Sequence, residues 1–308
     1  IGSYEFAMKS RGKKGGAILG TIPLLGSLGI AIGYAIIVGW VLRSAFGALT
    51  GSLMSTEPEQ FFTEMSSTNF SSVPWHTLVI LLTAAVLIFG VSGGIEKINK
   101  VMMPAFFILF IIIAVRVAFL PNAIEGYKYL LVPQWEYLFN PRTWIMAMGQ
   151  AFFSLSVTGS GMIVYGAYLS KDEDVVAMGQ HTAIFDTIAA IVAALVIIPA
   201  CFSYNLDVGA GPSLLFVTLP TILQDIPLGR LFAIILYLAM IFAGISSLQN
   251  MFEAVAESLL HKFPKLNRTA VLAIICVLCL GTGLFMEPIS KWGPWMDLVS
   301  IYIIPIGA

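Results

Sequence analysis

A succession of apolar stretches, each about as long as a bilayer is thick, constrains this chain more than any other feature. In hydrocarbon every backbone N–H and C=O must find its partner inside the protein, so stretches of this kind fold as helices. About 20 mainly apolar residues make one crossing. Candidate spans run over roughly 17–47, 75–94, 101–120, 143–169, 176–204, 228–260, 269–286 and 294–308. Composition agrees: 58% of the 308 residues are hydrophobic and 11% charged, against about 45–50% and 25% in a soluble domain. The expectation is an all-α integral membrane protein, multi-pass in the cell membrane, with the lipid bilayer as its surroundings. A net charge of −1 says nothing about nucleic-acid or membrane-surface partners, and no nucleic-acid partner is expected.

Charge alternates between the connecting segments. Lys9, Arg11, Lys13 and Lys14 precede the first span, Lys97 and Lys100 lie in the next loop on that side, then Lys171, then Lys262, Lys265 and Arg268. The other side carries Glu57, Glu59, Glu64, Glu125, Glu136, Asp207, Asp225 and Glu287. Basic loops stay in the cytoplasm, which sets the orientation. Trp40, Trp75, Trp135, Trp144, Trp292 and Trp295 then fall near outer span ends, as an interfacial aromatic belt would. The outer segment 205–227 is too apolar for a plain solvated loop. It reads either as a lid folded into an outer vestibule or as a short surface helix with a turn.

The stretch from Trp144 to Tyr168 departs from the rest. It is long enough to span, yet Ser154 to Gly161 is crowded with Ser, Thr and Gly. A helix that breaks there frees carbonyls and two half-helix ends, which can hold ions and polar substrate groups. Asp186 lies inside another span, where an ionisable group is costly and faces protein or water. It reads as a cation ligand or proton carrier, or as a hydrogen-bonded structural residue. The mid-span run Phe242 to Asn250 offers hydroxyls and small residues. These can supply oxygen ligands to a hard monovalent cation or line a close helix crossing. Asp297 reads as interfacial or functional. Glu253 and Glu257 sit one turn apart near an inner end, Glu257 on a solvated face.

Other chemistries are not supported. Cys276 and Cys279 form a CxxC inside an all-apolar helix, where packing is the plain reading. His76, His181 and His261 do not cluster, and no mid-span His stands by to activate Ser160. No enzyme is expected. The sequon at Asn267 falls on the cytoplasmic side, so chance produces such triplets here, and the outer one at Asn69 carries little weight.

With these residues in view, the chain resembles the neurotransmitter:sodium symporter family in its bacterial branch. The resemblance runs over nearly the whole chain. It is most specific in Tyr129-Leu-Leu-Val-Pro-Gln-Trp135 followed by Trp144 to Tyr168, with Gly149-Gln-Ala-Phe-Phe-Ser-Leu-Ser156 at its centre. Ser170-Lys-Asp-Glu-Asp174, Ala243-Gly-Ile-Ser-Ser247 and Trp295-Met-Asp-Leu-Val-Ser300 also match.

The resemblance implies a LeuT-type inverted-repeat helix bundle, five helices plus five, broken at 154–161, with its site at the midplane between repeats. It implies a single transmembrane transporter domain over 1–308, running from the end of the family's helix 2 to the start of helix 10. The chain opens at Ile1 and stops in an apolar run, so truncation at both ends is expected. The family's helix 1, which supplies ligands to both sodium sites and to the substrate carboxylate, would then precede it.

Residue by residue, the resemblance implies that Tyr34 bonds the substrate carboxylate and that Ile30 lines the pocket. Phe153 would be the aromatic lid of the outer gate. Ser154 and Asp186 would hold one sodium. Ser156 and Gly159 would line the side-chain pocket. Ala243, Ser246 and Ser247 would hold a second sodium, with Ser247 and Met251 bordering substrate. Asp297 would be the outer-gate carboxylate and Tyr168 an inner-gate tyrosine.

Two positions depart from relatives. Where animal members place a chloride-binding hydroxyl and some bacterial ones a glutamate, this chain has Ala190, so chloride independence is expected, with Asp186 supplying the negative charge. Gly159 replaces a larger residue, which would admit a bulky or aromatic amino acid. The expected function is sodium-coupled amino acid symport by alternating access. The alternatives are a proton-coupled or uniporting transporter on the same fold, and a non-transporting membrane receptor or scaffold.

Overall fold

The computed structural model describes residues 2–12, 14–89, 92–157, 162, 166, 169, 172–209 and 211–303. Among these, every regular element is a helix. Short helices α1 (Gly2–Ser10) and α2 (Gly16–Leu19) lead into α3 (Thr21–Thr50). Next come α4 (Ser52–Ser55), α5 (Pro58–Ser66), α6 (Val73–Phe89), α7 (Ser92–Ala118), α8 (Ala123–Leu131) and a 3₁₀ turn at Trp135–Phe139. Then follow α9 (Pro141–Ser154), α10 (Val175–Tyr204), a π turn at Leu214–Thr218 that runs into α11 (Leu219–Gln224), and α12 (Gly229–Lys262). The described chain closes with α13 (Arg268–Met286), α14 (Ile289–Asp297) and a π turn at Leu298–Ile303. Among the described residues, five stretches are long and apolar enough to cross a membrane: Gly16–Thr50, Lys100–Ala118, Val175–Tyr204, Gly229–Lys262 and Arg268–Met286.

Local chemistry sets the ends of these helices. The Asp174 side chain accepts from the Val176 and Ala177 N–H groups, and Asn267 accepts from Ala270 N at 2.6 Å. Each satisfies donors that a helix N-terminus leaves free, so Asn267 of the inner sequon is a helix cap. α3 stops at Gly51, whose φ of 92° is open to glycine and which donates back to Gly47 O. Arg230 of α12 donates to the carbonyls of Ala48 and Leu49 at 3.0 and 2.5 Å, so one guanidinium satisfies carbonyls that this same C-terminal end leaves free.

α3 is the axis of the bundle. Its buried residues fall on all sides, as expected of a helix surrounded by others. One core joins Trp40, Phe62, Phe216 and Trp292, with Phe62 and Phe216 stacked at 5.2 Å. A second joins Ile32, Val79, Phe252 and Ile275 from α3, α6, α12 and α13. α14 lies against α3 through a paired ladder: Trp292 Nε1 donates to Gly33 O at 2.8 Å, and Trp295 Nε1 to Gly29 O at 2.9 Å.

Several expectations need correction. Residues 95–100 are helical, inside α7, rather than a loop; Lys97 and Lys100 are exposed there, and long lysine stems carry their charge out from a helix side. The aromatic belt does not hold for Trp40 and Trp292, which are 0% and 8% exposed; their rings fill the core, and the Trp292 N–H finds its partner on α3. Segment 205–227 is no surface helix: Phe216, Leu219, Ile222 and Leu223 are buried, because an apolar stretch this dense packs inward. The reading of Glu257 on a solvated face holds, since it is exposed, and its neighbour Glu253 is buried at 5% exposure and paired with Arg268 at 2.6 Å.

Candidate functional site

Three helices bring the pocket residues together. Ile30 and Tyr34 sit one turn apart on α3, and Met251 projects from α12. Phe153 is the penultimate residue of α9. Ile30 is buried against Val299, and Tyr34, Phe153, Met251, Trp295 and Ile303 pack on that pair. The Tyr34 hydroxyl lies near the Ser247 side chain of α12. Gly244 makes this approach close: a Cβ there would lie 2.7 Å from Val38 Cγ2, so α3 and α12 meet at a distance only glycine allows.

Beside that contact, α12 presents oxygen. Ser246 Oγ donates to Ala243 O at 2.9 Å. The hydroxyl spends its one proton on the carbonyl and keeps its lone pairs as acceptors. Ala243, Ser246 and Ser247 thus offer neutral hard oxygen donors on one stretch of helix, which suits a hard cation.

α9 stops at Ser154. Leu155 N donates to Ala151 O, Ser156 N to Phe153 O and Val157 N to Phe152 O, so the ladder mixes bond lengths and gives out. Ser156 has φ of 53°, the left-handed region that costs an L-residue about 1–2 kcal/mol. Ser156 O then accepts from Met162 N at 3.1 Å. At this end Ser154 Oγ donates to Asp186 Oδ1 of α10 at 2.5 Å, a short charge-assisted bond. The stopped helix and the intraspan carboxylate therefore meet. Among the described residues no group of three His, Cys, Asp or Glu side chains gathers, so this carboxylate and its hydroxyl form an oxygen set of low charge.

A cavity of about 400 Å³ opens between α9 and α14, lined among others by Gln150, Phe153, Met296, Asp297 and Ser300. The two residues expected at the outer gate, Phe153 and Asp297, share it, with Asp297 exposed. Gly159 and Tyr168, expected in the side-chain pocket and at the inner gate, lie outside the described residues. Sequence reasoning missed Val299 and Trp295, which pack with Ile30 and Tyr34 in this cluster. Their signal was the glycine spacing of Gly29 and Gly33 on α3 opposite Trp295 and Trp292.

An all-helical membrane bundle in which a stopped helix meets an intraspan carboxylate, and another helix carries oxygen donors beside an apolar cluster, has the broken-helix architecture of membrane transporters. The chain belongs to the sodium:neurotransmitter symporter family, whose profile matches residues 58–304. That is a family of transporters rather than enzymes. An uncharacterized sodium-dependent transporter of Bacillus subtilis, YhdH, is 32% identical over 89% of this chain and 64% of its own length. The sodium- and chloride-dependent glycine transporter 2 of Xenopus laevis is 28% identical over 75% of this chain and 31% of its own length. This chain thus spans less than two thirds of either relative. The crystal structure of MhsT in complex with L-phenylalanine superposes with a TM-score of 0.86 at 28% identity, covering 94% of this chain and 69% of that one. The multi-pass helical fold and the family agree with the expectation from sequence.

Proposed function

We propose that the protein is a sodium-coupled amino acid symporter that works by alternating access, and that residues 1–308 belong to a single transporter domain. The observation that carries the reading is the meeting of Ile30, Tyr34, Phe153 and Met251 in one cluster, with Ser154 Oγ of the stopped helix on Asp186. A tyrosine hydroxyl at the edge of an apolar cluster suits a molecule with a charged head and an apolar side chain. Relatives support the class of substrate: one is named for glycine, and MhsT holds L-phenylalanine.

In this reading Ser154 and Asp186 bind one sodium ion, and Ala243, Ser246 and Ser247 bind a second. Tyr34 contacts the substrate carboxylate, Ile30, Ser156, Gly159 and Met251 line the pocket, and Phe153 closes over it. Asp297 and Tyr168 serve the outer and inner gates. The coupling is thermodynamic: sodium favours the outward-facing state only as far as it binds that state better, and substrate must favour the same arrangement in return. The carboxylate of Asp186 supplies a fixed negative charge, and Ala190 has no group to hold chloride, so transport proceeds without it. Gly159 leaves room for a bulky side chain.

The test is uptake of labelled amino acids into proteoliposomes under an imposed gradient. The reading predicts accumulation with sodium outside and none with potassium. Accumulation driven by a proton gradient alone would replace it with a proton-coupled carrier.

A further inference from the structure

One polar group near this site has no role so far. Asn250 Oδ1 on α12 is buried and has no hydrogen-bond partner among the described residues. A buried acceptor left unpaired costs about 1–3 kcal/mol, so such groups persist where something outside the chain completes them. Asn250 follows Ser246 by four residues and Ser247 by three. At 3.6 residues per turn it therefore sits beneath both, on the helix face that carries Ala243. Side chains on a helix lean toward its N-terminus. The Asn250 amide thus leans over the turn that holds Ser246 and Ser247.

Resting on the sodium-coupled reading above, we propose that Asn250 Oδ1 is a further oxygen ligand of the cation bound by Ala243, Ser246 and Ser247. An amide carbonyl is a neutral hard donor of the kind that ion prefers. It adds a side-chain oxygen to a set otherwise made of one backbone carbonyl and two hydroxyls. It lies on the inner side of that set, toward the Lys262 end of α12, where an ion leaving for the cytoplasm would pass.

The experiment is sodium titration of thermal stability, without substrate, on the intact protein in detergent, using wild type, Asn250→Ala and Asn250→Asp. The proposal predicts that Asn250→Ala raises the half-saturating sodium concentration about tenfold, equivalent to about 1.4 kcal/mol. Asn250→Asp keeps an oxygen and holds the concentration at or below the wild-type value. If sodium stabilises wild type and both variants equally, Asn250 is no ligand and the proposal is overturned. An altered preference among amino acids at an unchanged sodium curve overturns it too, by making Asn250 a substrate contact. If sodium does not stabilise wild type at all, the sodium-coupled reading itself fails, and the two failures are told apart.

Discussion

Single atoms decide how tightly this site can hold its ligands. The Tyr34 hydroxyl lies near Ser247, and Tyr34→Phe removes that oxygen while keeping the ring among Ile30, Phe153 and Met251. One hydrogen bond contributes about 0.5–1.5 kcal/mol, so substrate affinity should fall roughly tenfold at most, measured by equilibrium binding, with the apolar packing and thermal stability intact. Asp186→Asn keeps the shape that accepts from Ser154 at 2.5 Å and removes the charge. Sodium dependence should weaken at least tenfold in a sodium titration of substrate binding, since a charge-assisted bond is worth about twice a neutral one. An unchanged titration would leave Asp186 a structural residue. Asp186 was conspicuous in sequence as a carboxylate inside an apolar span, whereas Tyr34 was singled out only by the family resemblance. Asn250 was not. Within Phe242–Asn250 it looks like any polar residue lining a helix crossing, and only its unpaired oxygen sets it apart.

At the scale of helices, close approach makes the site. Gly244 of α12 faces the stiff, branched Val38 of α3 at a distance that leaves no room for a methyl group. Gly244→Ala should push α3 and α12 apart, costing about 1–3 kcal/mol as overpacked cores do, and should weaken the Tyr34–Ser247 contact. Thermal melts and substrate binding should both decline, and Val38→Ala in the same chain should restore much of each. A full loss with no rescue would place the strain elsewhere. Helix ends were largely readable: Asp174 and Asn267 cap α10 and α13 where the polar-to-apolar boundary falls. The ladder of Trp292 and Trp295 on Gly33 and Gly29 was not. Tryptophans near an interface look the same in sequence whether they face lipid or a neighbouring helix; the difference is tertiary. The buried turn and helix at Leu214–Gln224 were half-readable, because excess apolarity signals burial without saying against what.

The whole molecule couples these parts. Ser154 and Asp186 tie the stopped helix α9 to α10, while Gly244 against Val38 sets α12 close on α3. A ligand that bridges these helices favours one arrangement of the bundle. With Ala190 where a chloride-binding hydroxyl would stand, replacing chloride by gluconate should leave sodium-dependent binding unchanged. A requirement for chloride would show that Asp186 does not supply the balancing charge. Fold class followed from spans and their polar interruptions, since a bilayer admits few backbone solutions. The arrangement of helices did not follow from them. The measurement that bears most directly on the account is binding of labelled neutral and aromatic amino acids to the intact protein in sodium against potassium buffer. The account predicts binding in sodium alone, abolished by Asp186→Ala and by Ser247→Ala. Binding that ignores sodium and follows pH would contradict it.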